Sequence, residues 1–119
     1  ERTTMLIAIA ALSVALAAPA SVPPQTIQAW ESLQAADPRT AEVYLFGVGE
    51  AYGWTNVTLD SRGDKALFCT PRKLQLLSIN YIQIAKDEIT RRREAHQLPA
   101  NYTVELALLN GLQRVFPCQ

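Results

Sequence analysis

The 119-residue sequence contains few of the residues that catalysis and cofactor binding require. It has one histidine, His96, and only two cysteines, Cys69 and Cys118. Two cysteines so far apart, with one distant histidine, do not make a zinc ligand set, and no glycine-rich phosphate loop follows a predicted strand. A lone histidine near a helix end is more often a surface or capping residue than a catalytic base. We therefore expect a protein that is not an enzyme, with no cofactor and no metal site.

Neither sign of charge is in excess. Lysine and arginine total 11, aspartate and glutamate also total 11, and the formal net charge is zero. Nucleic-acid-binding domains typically carry a strongly basic patch, so nucleic acid is not an expected partner. The balance predicts a protein that binds through local patches and shape.

The longest apolar run lies near the beginning of the sequence, between Met5 and Ala18. A membrane span needs roughly 20 apolar residues. Arg2 before the run and Ala18-Pro19-Ala20 after it are instead typical of a secretory signal peptide. We predict a cleaved signal peptide over residues 1–20 and an exported domain over residues 21–119, with no membrane attachment after cleavage. An uncleaved signal anchor is the alternative.

Export brings the two cysteines into a compartment where disulfides persist. We therefore predict that Cys69 and Cys118 form a disulfide. A domain of about 99 residues buries roughly 60% of its unfolded surface and is only marginally stable. Closing a loop of about 50 residues would add roughly 4 kcal/mol in the chain-entropy model.

Apolar spacing and capping signals predict four helices in the exported domain. They cover residues 25–36, 38–52, 71–96 and 100–116, the last capped by Asn101. Asp37-Pro38 and Thr70-Pro71 each place a capping side chain before a proline at the first helical position. The fold class is therefore all-α, a small four-helix domain with one disulfide. The predicted core contains Tyr44, Gly47, Val48, Leu74, Leu77, Tyr81, Leu108 and Leu112.

Two features of the predicted helices allow both a structural and a functional interpretation. Gly47 and Gly49 each cost about 1 kcal/mol in a helix interior. Because the small residues Gly47 and Ala51 are in register with the apolar face, we favour close helix packing over a kink or a functional surface. The arginines at 91–93 follow Asp87 and Glu88, which would pair with the arginines four positions later. We favour a solvated helix end that matches the helix dipole over an anion or partner site.

Residues 53–68 interrupt the helical periodicity and are rich in turn-forming residues. Loops of this length in a small domain are usually functional or disordered. We predict that residues 53–65 carry the partner-binding surface, because exposed tryptophan is enriched in binding hot spots. The candidate contacts are Trp54, Asn56, Asp60 and Arg62. The alternative is that Trp54 folds back over the core.

Four short motifs follow one another along residues 41–118: Tyr44-Leu45-Phe46-Gly47-Val48, Phe68-Cys69-Thr70-Pro71, Leu98-Pro99-Ala100 and Val115-Phe116-Pro117-Cys118. In these motifs the chain resembles the Rap/Tai family, the periplasmic immunity proteins of type VI secretion amidase effectors. The resemblance implies an all-helical fold in the periplasm of a Gram-negative bacterium. It also implies a partner, a secreted peptidoglycan amidase toxin whose active site the protein occludes. A homodimer is a further assembly to consider. The arginine-rich segment 91–93 departs from the family pattern.

A second functional class is a periplasmic stress protein, a chaperone-like helical binding protein that is also small and disulfide-bonded. That function predicts apolar surface that becomes exposed when the pH changes. A neighbouring gene for a small Cys-His hydrolase would favour the immunity function.

Replacing either cysteine with serine is expected to lower the free energy of unfolding by roughly 2–5 kcal/mol, because the unfolded chain regains the freedom that the disulfide removes. Denaturant and thermal unfolding of the wild type and of Cys118→Ser, both in non-reducing buffer, measure the difference. An unchanged melting temperature would contradict the prediction.

Overall fold

The chain folds into four α-helices, and one long connection separates the second helix from the third. A computed structural model describes residues 26–119. The helices are α1 (Ile27–Ala36), α2 (Pro38–Ser61), α3 (Ser78–Glu94) and α4 (Val104–Val115). Within residues 26–119 there is no strand, only an isolated β-bridge between Thr26 and Thr103. The all-α four-helix class is confirmed, whereas the predicted signal peptide lies outside the described residues.

Three of the helices begin at a side chain that accepts a hydrogen bond from the first turn. The acceptors are Thr26 for α1, Asp37 for α2 and Thr103 for α4. Such caps satisfy amide groups that the helix itself leaves without partners. The predicted start at Asp37-Pro38 is confirmed. The prediction for the last helix is wrong in its start, because Thr103 rather than Asn101 is the cap.

Helix α2 continues well beyond its predicted end at residue 52 and stops at Ser61. The hydroxyls of Thr55 and Thr58 donate to helix carbonyls one turn earlier, at 2.8 and 3.1 Å. These side chains therefore bond within the helix and do not favour a turn. The helix ends before Gly63, whose φ of 73° is a left-handed conformation that glycine adopts without strain. The loop prediction is thus wrong for residues 53–61.

The connection that follows, residues 62–77, is called the arm here. Helix α3 begins after it at Ser78, not at residue 71 as predicted. The Asn80 side chain accepts from the Leu77 amide at 2.8 Å, and Ser78 Oγ donates to Glu42 of α2 at 2.7 Å. Leu74 and Leu77 are exposed and not in the core. The arm is not helical, so their spacing does not place them on the buried stripe of α3.

The core is formed where all four helices meet. Trp30 of α1, Leu45 of α2 and Leu108 of α4 have no exposed surface. Three of the predicted core residues, Tyr81, Leu108 and Leu112, are buried. Tyr44 and Val48 are half-buried, whereas Gly47 is exposed and belongs to the surface. The buried apolar residues are Ile27, Trp30, Ala41, Leu45, Phe68, Tyr81, Ala85, Ile89, Tyr102, Val104, Ala107, Leu108 and Leu112.

Glycines bring α3 into close contact with α2 and with α4. A Cβ on Gly49 would lie 2.5 Å from the Tyr81 ring, and a Cβ on Gly111 would lie 2.7 Å from a methyl group of Ile84. Gly47 differs, because a Cβ there would meet no other described residue within 4 Å. Close packing within the domain therefore explains Gly49, as predicted, but not Gly47.

The predicted disulfide between Cys69 and Cys118 is confirmed, with the two Cα atoms 5.0 Å apart. The Cys69 amide also donates to the Phe116 carbonyl at 2.8 Å. The arm is thereby fastened to the end of α4, which holds it against the helices although it is not helical itself.

Gly47→Ala and Gly49→Ala form a matched pair on one helix. Gly47→Ala is expected to raise the free energy of unfolding by roughly 0.5–1 kcal/mol, because alanine favours the helix and meets no neighbour. Gly49→Ala is expected to lower it by roughly 1–3 kcal/mol, because the added methyl displaces the Tyr81 ring. Chemical denaturation measures both changes. Equal effects of the two substitutions would refute the packing described for α2 and α3.

Candidate functional site

Helix α2 carries apolar side chains on two opposite faces. The inner face, with Ala41 and Leu45, is buried in the core. The other face, called the outer face of α2 here, lies within an arc of about 100° at 100° per residue. It consists of Val43, Phe46, Gly47, Glu50, Trp54 and Val57, all of them exposed. Apolar side chains in a row at helical spacing normally face another part of a protein. Here the Tyr81 ring lies edge-on to Phe46, with the ring centroids 6.1 Å apart, but most of the row is exposed.

Trp54 is the largest of these exposed side chains. It was predicted to lie in a loop, but it lies on α2 and is 68% exposed. The alternative in which it folds over the core is therefore wrong. Trp54 and Arg62 line a shallow depression together with Leu59 at the end of α2. The structure thus brings two of the four predicted contact residues together.

The other two predicted contact residues do not join them. Asn56 points towards the arm, where its Oδ1 accepts from the Leu67 amide at 2.8 Å and its Nδ2 donates to the Phe68 carbonyl at 3.1 Å. Both polar atoms of the Asn56 side chain are therefore bonded to the arm and hold it against α2. Asp60 is exposed, but its helical position places it on a different side of α2 from Trp54.

A groove of about 360 Å³ runs between α2 and the arm beside the outer face. The exposed side chains of Val57 and Leu74 lie on opposite sides of it, and Glu50 contributes a carboxylate. The Tyr81 hydroxyl donates to Glu50 at 3.3 Å. Burial and the Glu50 charge raise the pKa of Tyr81 to about 12, so the hydroxyl keeps its proton. The groove is therefore lined by polar and apolar side chains alike, with one negative group at its wall.

Sequence reasoning missed Val43, Phe46 and Val57 as surface residues. Their separations of 3 and 11 positions are helical, as the structure shows. The row runs along most of α2. The predicted helix ended at residue 52, so only the first part of the row was assigned to a helix.

A second polar arrangement lies between α3 and α4 and is centred on Glu88, whose side chain is 1% exposed. Arg91, Arg92 and Arg114 all donate to its carboxylate, with closest N···O distances of 2.8, 2.9 and 2.8 Å. The Arg92 guanidinium also lies over the Tyr102 ring, 4.6 Å from its centroid. These four charged residues are called the Glu88 cluster here.

The Glu88 cluster changes the interpretation of the arginine run. The predicted pair of Glu88 with Arg92 is confirmed, but the pair of Asp87 with Arg91 is wrong, because Asp87 accepts from Gln83 at 2.7 Å. Arg91 and Arg92 turn inward to a buried carboxylate, so the helix end is not merely solvated. Arg93 alone points away, to Glu31 of α1 at 2.5 Å.

Burial alone would raise the pKa of Glu88, but hydrogen bonds from Arg91, Arg114 and Arg92 outweigh it and lower the pKa from 4.5 to about 2. A buried carboxylate is costly unless it is paired and hydrogen-bonded. Glu88 therefore remains ionised at all but strongly acidic pH and draws three guanidinium groups together.

The described residues show neither a metal site nor a membrane-spanning helix. Within residues 26–119, no group of histidine, cysteine, aspartate and glutamate side chains is arranged to hold a metal ion. None of the helices in that part of the chain has the length and apolar character needed to span a bilayer. His96 is exposed just after α3, with a φ of 54°.

Comparison with known proteins finds no family model that matches the chain, and neither a curated protein nor a solved structure matches it significantly.

The low pKa of Glu88 makes stability depend on pH. Because the pKa is lower in the folded protein than in the unfolded chain, ionised Glu88 stabilises the fold above about pH 4.5, and this contribution of roughly 2–4 kcal/mol is lost as the pH falls towards 2. Denaturant unfolding at several pH values between about 7 and 2.5 measures the loss.

Two glutamine variants separate this effect from general acid destabilisation. Glu88→Gln is expected to be less stable at neutral pH and to have a flatter pH dependence, because the titrating group is gone. Glu94→Gln, which alters an exposed carboxylate on the same helix, should behave as the wild type does. A Glu88→Gln protein with the wild-type pH dependence would contradict the assignment.

Proposed function

We propose that this protein is a periplasmic immunity protein, which binds a secreted peptidoglycan amidase toxin and occludes its active site. The observation that carries the proposal is the outer face of α2, where four large apolar side chains are exposed in one row. Contiguous exposed apolar surface on a small protein marks a site of protein–protein interaction. The class of partner comes from the resemblance to the Rap/Tai immunity proteins.

Gly47 adds an independent argument for a partner on this face. A glycine inside a helix is destabilising by roughly 0.5–1 kcal/mol relative to alanine. Gly49 has a reason within the domain, the Tyr81 ring, but among residues 26–119 nothing lies within 4 Å of a Cβ placed on Gly47. A partner that packs directly on the α2 backbone between Phe46 and Trp54 would supply the missing reason.

The surface suits an inhibitor that acts by steric occlusion. Trp54 and the turn after Ser61 lie at one end of α2, and the disulfide holds the neighbouring arm in place. A rigid surface of this kind loses little conformational freedom on binding. Covering a hydrolase cleft requires no catalytic group of the inhibitor's own. The partner surface is expected to be apolar, with a basic group opposite Glu50.

The disulfide also supports the proposed location, because such bonds persist in the periplasm and are rare in the cytosol. A second copy of the chain is another possible occupant of the outer face. Size-exclusion chromatography distinguishes the two occupants, since a homodimer through this face would have to dissociate before the amidase binds.

The chaperone-like function remains a second candidate because of the Glu88 cluster. Protonation of Glu88 in strong acid would leave Arg91, Arg92 and Arg114 without their shared acceptor and would loosen α3 from α4. That function requires apolar surface to become exposed while the helices persist. A single cooperative loss of helical and tertiary structure in acid would exclude it.

Val57→Glu and Val115→Glu are matched tests of the outer face, because the two valines are 57% and 52% exposed on different helices. Val57→Glu is expected to weaken binding to the proposed amidase partner, sought among the products of neighbouring genes, by at least about 30-fold, since the interface would bury an unpaired charge. Trp54→Ala should weaken it to a similar extent. Val115→Glu should leave affinity within about threefold of the wild type.

Calorimetry measures the affinities, peptidoglycan hydrolysis measures inhibition, and circular dichroism confirms that each variant is folded. Failure of the wild type to inhibit the amidase would refute the proposed function. Inhibition by the wild type that survives both Val57→Glu and Trp54→Ala would instead show that the binding surface lies elsewhere.

A further inference from the structure

The Glu88 cluster contains more positive charge than its carboxylate neutralises. Three guanidinium groups surround one carboxylate, which leaves a formal charge of +2. The nearest acidic residues along the chain do not offset it. Asp87 accepts from Gln83, and no acidic side chain other than Glu88 accepts from any of the three arginines within residues 26–119.

The arginines also retain hydrogen-bond donors. Arg91 and Arg114 each use Nε and Nη2 to reach Glu88, so the Nη1 group of each has no acceptor among the described residues. A guanidinium has five N–H donors and can bind two acceptors on different edges. The side chains of Arg91, Arg92 and Arg114 are 37%, 23% and 50% exposed. All three side chains are therefore partly exposed, so a ligand can approach them from solvent.

The cluster is held in place before any ligand arrives. Glu88 fixes all three guanidinium groups from the buried side, and the Tyr102 ring lies under Arg92. Long arginine side chains normally lose rotamer freedom when they bind a ligand. Here that freedom is already restricted by folding, as in sites where planar guanidinium groups recognise carboxylate or phosphate.

We propose that Arg91, Arg92 and Arg114 form a binding site for an oxyanion, a carboxylate or a phosphate group. Glu88 is the positioning residue of this site and does not itself contact the ligand. The site is built from α3 and α4 alone and shares no residue with the outer face of α2. It is therefore independent of the proposed function, and either can fail without the other.

The test titrates the isotope-labelled protein with inorganic phosphate and, separately, with a triglutamate peptide, at constant low ionic strength because salt screens exposed charges. Nuclear magnetic resonance follows the Nε–Hε signals of Arg91 and Arg114. We expect saturable shifts confined to the cluster, with a dissociation constant of about 1–10 mM for at least one of the two probes. Saturation by phosphate alone would identify a free anion as the ligand, and saturation by the peptide alone would identify the carboxylates of an acidic polypeptide.

Variants separate a specific site from general attraction. Arg114→Gln and Arg91→Gln should each weaken binding at least about fivefold, because each removes a charge-assisted donor. Arg39→Gln, which removes an exposed charge on α2, should leave binding unchanged. Circular dichroism checks the fold, and either cluster variant suffices if the other is unfolded. Chemical shifts that change linearly with the concentration of both probes would overturn the proposal. So would a loss of binding in Arg39→Gln equal to that in the cluster variants.

Discussion

The close approach of α3 to its two neighbours is the constraint on which the rest of the structure depends. Gly49 leaves room for the Tyr81 ring, and Gly111 leaves room for Ile84. A Cβ on Gly111 would lie only 3.0 Å from the Ile84 carbonyl oxygen. Protein interiors are packed too densely to absorb an extra side chain at such contacts. Helix α3 can therefore pack closely against both α2 and α4 because two glycines leave room for it.

This approach also creates the Glu88 cluster. Because α4 lies so near, the Glu88 Cβ is 3.4 Å from the position a Gly111 Cβ would take, and Arg114 follows one turn later. A lone buried carboxylate would destabilise the fold. Three guanidinium groups offset the free-energy cost of burying this carboxylate. The carboxylate, for its part, holds three long side chains in one geometry. Packing and electrostatics at this contact thus determine each other.

One side of helix α2 makes many contacts with the rest of the domain, whereas most of the opposite side is exposed. Its inner side is fastened to α4, because the hydroxyls of Tyr44 and Tyr52 donate to the side chain and the backbone carbonyl of Glu105. Asn56 fastens the same helix to the arm. On the outer face, Tyr81 of α3 contacts Phe46 and Glu50 at one edge, whereas the side chains of Val43, Trp54 and Val57 are more than half exposed. The contrast between the two faces, rather than exposure of any single residue, is what favours a protein partner.

The confirmed predictions depend on residues close together in the sequence or, for the disulfide, on the number of cysteines. The start of α2 at Asp37-Pro38 depends on a capping hydrogen bond between residues three apart in the sequence. The burial of Leu108 and Leu112 follows from the spacing of apolar residues within one helix. The Cys69–Cys118 pair was the only pairing available among two cysteines. The position of the candidate site was predicted only in part, since the exposure of Trp54 is confirmed but the helix that carries it was not predicted.

The sequence by itself determined the helical class, the disulfide and the Asp37 cap of α2, because hydrogen bonding over a few residues and the number of cysteines suffice to specify them. Only the tertiary structure decided that α2 continues past Tyr52, that Thr70-Pro71 does not start α3, and that the arginine run folds inward. The first depends on Asn56 bonding to the arm 11 and 12 residues away, and the last on Arg114, 26 residues from Glu88. Such contacts outweigh local propensity because they bury polar groups with their partners, and their geometry exists only once the helices have packed.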